Sequence, residues 1–237
     1  MEKRIGCSGY HYDDWKGDFY PKDLPKKKWI EYYAEHFDTV ELNNTFYNLP
    51  EKKTFKNWYD RTPDNFEFTV KGSRYITHMK KLKDVKTSVD DFYDAISPLQ
   101  EKTGCILWQL PGNLHKNTGK LKQFCQWLSK SYKNVIEFRH NSWFDEEVYD
   151  ILRKYKVIFC MISAPGDLEE NTLNTTDTSY LRFHGKKEWY KYLYTEKELK
   201  SWKDRIESQD ISGLYIYFNN DYDANSIKNA RQIKEMF

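Results

Sequence analysis

The sequence predicts an α/β fold: one (β/α)8 TIM barrel spanning residues 1–237 as a single domain. Three observations carry that expectation. Strand-like apolar runs recur eight times, amphipathic helical stripes follow most of them, and no linker or shift in composition divides the chain. Eight units in 237 residues leave about 30 residues each, near the minimum for a strand-crossover repeat. The rival is an open doubly wound sheet, which would usually use about five or six strands and often carry a GxGxxG turn. No such turn is present.

The strand candidates, in order, are Arg4–Ser8, Thr39–Asn43, Phe66–Lys71, Cys105–Leu110, Asn134–Arg139, Val157–Ile162, Ser179–His184 and Leu214–Asn219. Pro25 stands at a first helical turn before the stripe Trp29, Ile30, Tyr33, Ala34 and Phe37. Further stripes are Val89, Phe92, Tyr93 and Ile96; Leu121, Phe124, Cys125 and Leu128; and Val148, Ile151, Leu152 and Tyr155. Leu199, Trp202 and Ile206 mark the seventh unit, and a weakly periodic helix follows from about Asp223. The segment SAPGDLEENTLNTTDT after the sixth strand has no stripe and reads as a loop.

Composition narrows the class. Aromatic residues make up 17% of the chain, which marks a folded protein despite a mean hydropathy of −0.91. A net charge of +2 excludes a strongly basic nucleic-acid-coating protein. No apolar run approaches the ~20 residues of a membrane span, and the N-terminus lacks the apolar stretch of a signal peptide, so a cytoplasmic location is expected. The four cysteines show no CxxC spacing and are expected to be reduced core thiols. Cys7, which begins a loop, is the one considered as a nucleophile.

Side chains alternate faces along a strand, and barrel active sites gather at the C-terminal strand ends. Five strands show an apolar helix-facing phase and a polar inward phase that ends in a charge or an amide. This places Glu41, Asn43, Lys71, Glu137, Arg139, Arg182, His184 and Asn219 around one mouth; the phase at Gln109 is ambiguous. Lys71, Arg139 and Arg182 face only two carboxylates there, because Glu67 lies roughly 13 Å below Lys71 along its strand. Two cations ~5 Å apart repel by about 3 kcal/mol at an effective dielectric near 20. The mouth is one negative charge short, and a bound anion would complete it. The competing reading is a salt-bridge network that merely closes the barrel.

Loops that follow strands lie on the same face. The loop GSRYITHMKKLKD adds Arg74 and His78 near the mouth, with Lys81 and Lys83 expected in solvent. Tyr10, Tyr12, Tyr47 and Trp143 could stack on a base or a sugar, whereas Trp15 and Phe19 are expected to pack their loop. His140, in HNSWFDEE, is assigned a turn role beside Ser142 and Asp145. HExxH and GxxxxGK[ST] are absent. One histidine and two glutamates suit at most a single divalent metal; no metal site and no cofactor are predicted. Three cations beside the carboxylates fit a neutral sugar substrate poorly.

Six segments in order, GCSGYHYDDWKGDFYP, VELNNTFY, SRYITHMKKL, EFRHNSWF, YLRFHG and FNNDYDANSIKNA, resemble the domain-of-unknown-function family numbered seventy-two (DUF72, YecE-like). The resemblance runs over nearly the whole chain and implies an eight-stranded βα barrel, without implying a reaction. Its motif positions fall on Glu41, Asn43, Phe46, Tyr47, His78, Glu137, Arg139, Trp143, Arg182, His184, Gly185, Asn219 and Asn220. Departures are Cys7 where Thr is usual, Tyr10 where Trp is common, and Ala224 where Gly is usual.

Two functions follow as expectations. In the first, an enzyme holds a small phosphate-bearing or otherwise anionic ligand on Lys71, Arg139 and Arg182. There His184 and Glu41 or Glu137 carry protons, and Asn43 and Asn219 orient the substrate. In the second, a non-catalytic nucleotide or nucleic-acid module contacts phosphates through the third loop and stacks bases on Tyr10, Tyr12 and Trp143.

Overall fold

A computed structural model describes residues 1–237. Eight parallel strands close into a barrel in the order β1 to β8. They are β1 (Glu2–Ser8), β2 (Thr39–Leu42), β3 (Glu67–Lys71), β4 (Thr103–Gln109), β5 (Lys133–Glu137), β6 (Ile158–Ser163), β7 (Thr178–Phe183) and β8 (Gly213–Phe218). Outside them lie α1 (Trp29–Ala34), α2 (Asn44–Tyr47), α3 (Lys52–Asp60), α4 (Lys86–Ile96), α5 (Thr118–Trp127), α6 (Glu146–Tyr155), α7 (Glu196–Glu207) and α8 (Asn225–Met236). The open-sheet alternative is excluded by the β1–β8 pairing, which runs in register from Glu2 opposite Gly213 to Cys7 opposite Phe218.

Local signals act where the sequence places them. Pro25 precedes a 3-10 turn, Lys26–Lys28, that leads into α1. Asp145 caps α6 by accepting from the Glu147 amide at 3.0 Å, and His140 caps the preceding turn by accepting from the Ser142 amide. No helix follows β6, so that connection is a loop. The second unit carries α3, a helix absent from the stripes read above; it buries Phe55 and Trp58. The weakly periodic last helix begins after Ala224, which adopts the left-handed conformation (φ 53°) with its methyl in the core.

The strand alternation sorts two apolar regions. Val40, Leu42, Phe68, Val70, Ile136, Leu181, Phe183, Ile216 and Phe218 join the helices in the outer layer. Cys105, Leu107, Val135, Ile158, Cys160, Ile162, Tyr180, Tyr215 and Tyr217 fill the interior. Below them, Arg4 pairs with Glu67 at 2.9 Å and Tyr215 donates to Glu67 at 2.7 Å, so Glu67 closes the N-terminal end. Tyr217 bridges Thr39 and Thr69 in the middle of the barrel. No helix is long and apolar enough to cross a membrane.

All four cysteines are free and buried. Burial pushes the Cys7 thiol far above its ordinary range, which removes it as a nucleophile.

Candidate functional site

The C-terminal ends of β2, β5 and β7 build a buried ion-pair cluster directly above the apolar interior. Arg182, with no exposed surface, lies between the two glutamates. One terminal nitrogen donates to Glu41 at 2.6 Å and the other to Glu137 at 2.5 Å. Glu41 is also held by the hydroxyls of Tyr180 and Ser8. The Ser8 oxygen in turn accepts from Asn43 at 2.7 Å and from Arg182 at 3.0 Å. Arg139 pairs with Glu137 through its Nε.

Burial alone would raise the Glu137 carboxyl, but Arg139 and Arg182 overcome it and hold the group well below the usual carboxylate range. This part of the mouth is self-neutralising, with two guanidiniums against two carboxylates. Glu41 and Glu137 therefore spend their oxygens on positioning arginines.

His184 is fully buried beside that cluster. Arg139 donates to its Nε2 at 2.9 Å, and an Arg182 nitrogen lies at 3.4 Å. With Nε2 accepting, the hydrogen sits on Nδ1, which faces the Asn219 amide at 3.0 Å; matching donors to acceptors assigns the amide oxygen to that side. Burial, reinforced by Arg139 and Arg182, pushes the imidazole well below its ordinary value, so it stays neutral. His184 thereby orients Arg139, and its accepting nitrogen has no lone pair left for a ligand.

Lys71 is the exception. It ends β3 at 9% exposure, yet its ammonium makes no hydrogen bond and no ion pair. It lies 4.3 Å from the centre of the Phe46 ring. Burial first, and then repulsion from Arg182, lowers it to about 7. The opposite edge of this patch is His78, whose ring meets Phe46 edge-on at 4.8 Å and whose Nδ1 contacts the Thr77 hydroxyl at 2.9 Å. Burial, with Lys71 and Arg74 nearby, lowers His78 to about 4.

Several predicted residues are placed elsewhere. Trp143 does not reach the mouth: it is buried, stacked on Phe138 at 4.9 Å, with its indole donating to the Leu114 carbonyl. A loop residue has no strand parity, and the stacking partner on β5's outer face decides its direction. Asn220 is also buried away from any ligand. Its amide donates to the Tyr192 carbonyl and to Asn229, tying the β7–α7 loop to α8. Tyr12 packs on Trp15 and donates to the Ser8 carbonyl, so it supports the wall. Tyr10 accepts from Trp58 and borders a side cleft of about 290 Å³ with Tyr12, His11 and Asn43. Tyr47 stands 64% exposed at the rim, and Arg74 and Lys83 lie in solvent. A cavity of about 500 Å³ at the opposite barrel end, lined by Lys130, Lys133 and Lys156, contains none of the predicted residues. No three His, Cys, Asp or Glu side chains form a metal-ligand group.

One mouth residue escaped the sequence reading. Trp189, in the β7–α7 loop, lies over the Arg139 guanidinium at 4.8 Å and 5.5 Å from the His184 ring. Gly185 permits this return: its φ is +111°, and a Cβ there would meet the Glu188 carbonyl at 2.2 Å. The signal was present as aromatics in KKEWYKY directly after YLRFHG.

The profile of the family described as "Protein of unknown function DUF72" matches residues 4–237. The chain belongs to the DUF72 family. A DUF72 family protein from Thermotoga maritima MSB8 superposes with a TM-score of 0.89 at 34% identity, covering 100% of this chain and 99% of that one. UPF0759 protein YunF of Bacillus subtilis is 24% identical over 98% of this chain and 93% of its own length. UPF0759 protein YecE of Escherichia coli is 32% identical over a shorter stretch, 48% of this chain and 43% of the relative. A xylose isomerase-like TIM barrel/4-hydroxyphenylpyruvate dioxygenase fusion protein shares the fold alone, with a TM-score of 0.57 at 14% identity. Membership of DUF72 thus agrees with the closed eight-stranded barrel and carries no substrate with it.

Proposed function

We propose that this DUF72 barrel is an enzyme acting on a small phosphate-bearing or otherwise anionic molecule held at the C-terminal mouth. The observation that carries the reading is the lone Lys71. Two carboxylates already pair with two guanidiniums, and the third cation, at 9% exposure, has no ion pair of its own, only the more distant pull of Glu137 and Glu41. A buried charge with no partner is costly, so a bound anion beside Lys71 and Arg139 is the economical complement. Trp189 would cover the ligand on the Arg139 side, and Asn43 and Asn219 border it.

Proton transfer falls to groups that are not already engaged. Lys71, at about 7, is poised to hold or release a proton at neutral pH. His78 offers a neutral imidazole. Glu41, Glu137 and His184 act through the arginines they orient, which modifies their expected role as acid and base.

The reading is tested by titrating inorganic phosphate and small phosphate esters into the wild type and Lys71→Met by calorimetry. Saturable binding that is lost in Lys71→Met supports it. Equal binding by both proteins, or none by the wild type at millimolar phosphate, refutes it. A nucleic-acid module is less well supported, since Tyr12 and Trp143 are engaged in packing. It would show a steep loss of oligonucleotide affinity with salt.

A further inference from the structure

We propose that Lys71 is a nucleophilic amine that forms an imine with an aldehyde or ketone carrying an anionic group. The inference rests on the anionic-ligand reading above and names the chemical class of the ligand.

The geometry isolates this one lysine. Its backbone belongs to β3, so the stem rises from the rigid barrel wall at the end where barrel enzymes place their chemistry. Both glutamates that might have paired with it are committed to Arg139 and Arg182. The Phe46 ring shields one side of the amine. Burial and the Arg182 and Arg139 guanidiniums disfavour a third cation, Glu137 and Glu41 favour it, and burial with Arg182 prevails. A lysine desolvated and set beside other cations is the usual way a protein produces a free amine at neutral pH. With its value at about 7, close to half of Lys71 is unprotonated at pH 7, roughly a thousandfold more than for an ordinary lysine.

The surroundings supply the other needs of the reaction. The amine lone pair attacks the carbonyl carbon and the carbonyl π pair moves to oxygen. The nitrogen gives up two protons in succession, the oxygen takes both, and water departs as the C=N bond forms; the imine nitrogen then takes up one proton from solvent. The sum is amine plus carbonyl compound giving imine plus water, with no oxidant or reductant. His78 shares the Phe46 patch, and its Nε2 has no protein partner, so it can relay the proton between nitrogen and leaving oxygen. The anionic group of the substrate faces Arg139, whose side chain keeps 12% exposure. That anion then offsets the positive charge of the protonated imine, which a neutral carbonyl compound would leave uncompensated among the arginines.

The test uses the intact protein with pyridoxal 5′-phosphate as an anionic aldehyde and 5′-deoxypyridoxal, which cannot close to a hemiacetal, as its uncharged counterpart. Each is incubated at pH 7 and reduced with borohydride, which delivers hydride to the imine carbon and leaves a stable secondary amine. Peptide mass spectrometry then locates the adduct. The expected result is reduction-dependent labelling of Lys71 at least roughly tenfold faster than Lys81 and Lys83, faster with the phosphate ester, and slowed by inorganic phosphate. Labelling spread evenly over surface lysines overturns the proposal. So does phosphate binding by calorimetry with no adduct at Lys71, which would leave the anion site standing without the amine. Rapid labelling of Lys71 by both aldehydes, unaffected by phosphate, refutes the anionic handle and with it the reading on which this inference rests. The wild type carries the whole comparison, so no result depends on a variant folding; Lys71→Arg is the control for adduct assignment.

Discussion

Replacing Lys71 by Met should stabilise the protein, although it removes the cation on which the proposed anion site rests. The ordinary lysine value is 10.5, and burial with repulsion from Arg182 brings Lys71 to about 7. That difference corresponds to a charging cost of about 5 kcal/mol, a ceiling that relaxation and residual hydration reduce. Methionine keeps the stem and the contact with Phe46 while losing a cation–π attraction of about 1 kcal/mol. We expect Lys71→Met to gain about 2 kcal/mol at pH 6. The sign with pH follows from which state binds more protons. Between pH 7 and 10.5 the unfolded chain keeps the Lys71 proton and the native state has released it. Wild-type stability therefore rises relative to the variant by about 1.4 kcal/mol per pH unit across that window, and the gap should close by about pH 9. Urea unfolding of both proteins at pH 6, 7, 8 and 9 reads this directly. A variant less stable than wild type at pH 6, or a gap that stays constant with pH, would refute the claim that Lys71 is an uncompensated buried charge.

Other expectations follow from the same geometry. A bound anion should raise the Lys71 value, so calorimetry with sulfate, which does not titrate here, in buffers of different ionisation enthalpy should show proton uptake at pH 7.5 that disappears at pH 5.5, where Lys71 is already protonated. Glu41→Gln removes one counter-charge from the fully buried Arg182 and disturbs the Tyr180 and Ser8 hydroxyls; it should cost about 3–5 kcal/mol in denaturant unfolding, and a loss under ~1 kcal/mol would contradict the pairing. Trp189→Ala should leave stability within about 1 kcal/mol of wild type yet weaken phosphate-ester binding, because Trp189 is 36% exposed and its main contact is the Arg139 guanidinium.

The parity of the strands made much of this site legible. Glu41, Glu137 and Arg182 converge because alternation along β2, β5 and β7 leaves them no other direction, and Arg139 and His184, just past the ends of β5 and β7, are brought to them by hydrogen bonds and ion pairs. Charge counting showed three cations against two carboxylates, but only the geometry tells that Lys71 is the cation without an ion-pair partner. What escaped lies where no period governs. Trp143 and Asn220 follow strand ends, and loop geometry turned them into packing and loop anchors. The helix α3 buries only Phe55 and Trp58, too few apolar positions to display a stripe. The acid and base roles expected of Glu41 and Glu137 rest on residue type, which does not tell that both carboxylates pair with guanidiniums.

The return of the chain after Gly185 makes the wall and the roof of the mouth a single piece. The Tyr190 amide donates to the His184 carbonyl at 2.8 Å, while the His184 ring holds Arg139 and Trp189 lies across that same guanidinium. The strand end that seats the imidazole and the loop that carries the indole are thus tied by one main-chain hydrogen bond, with the guanidinium held between their two rings. A methyl at position 185 would force the Glu188 carbonyl aside and so disturb the seating of Trp189 and of Arg139 together.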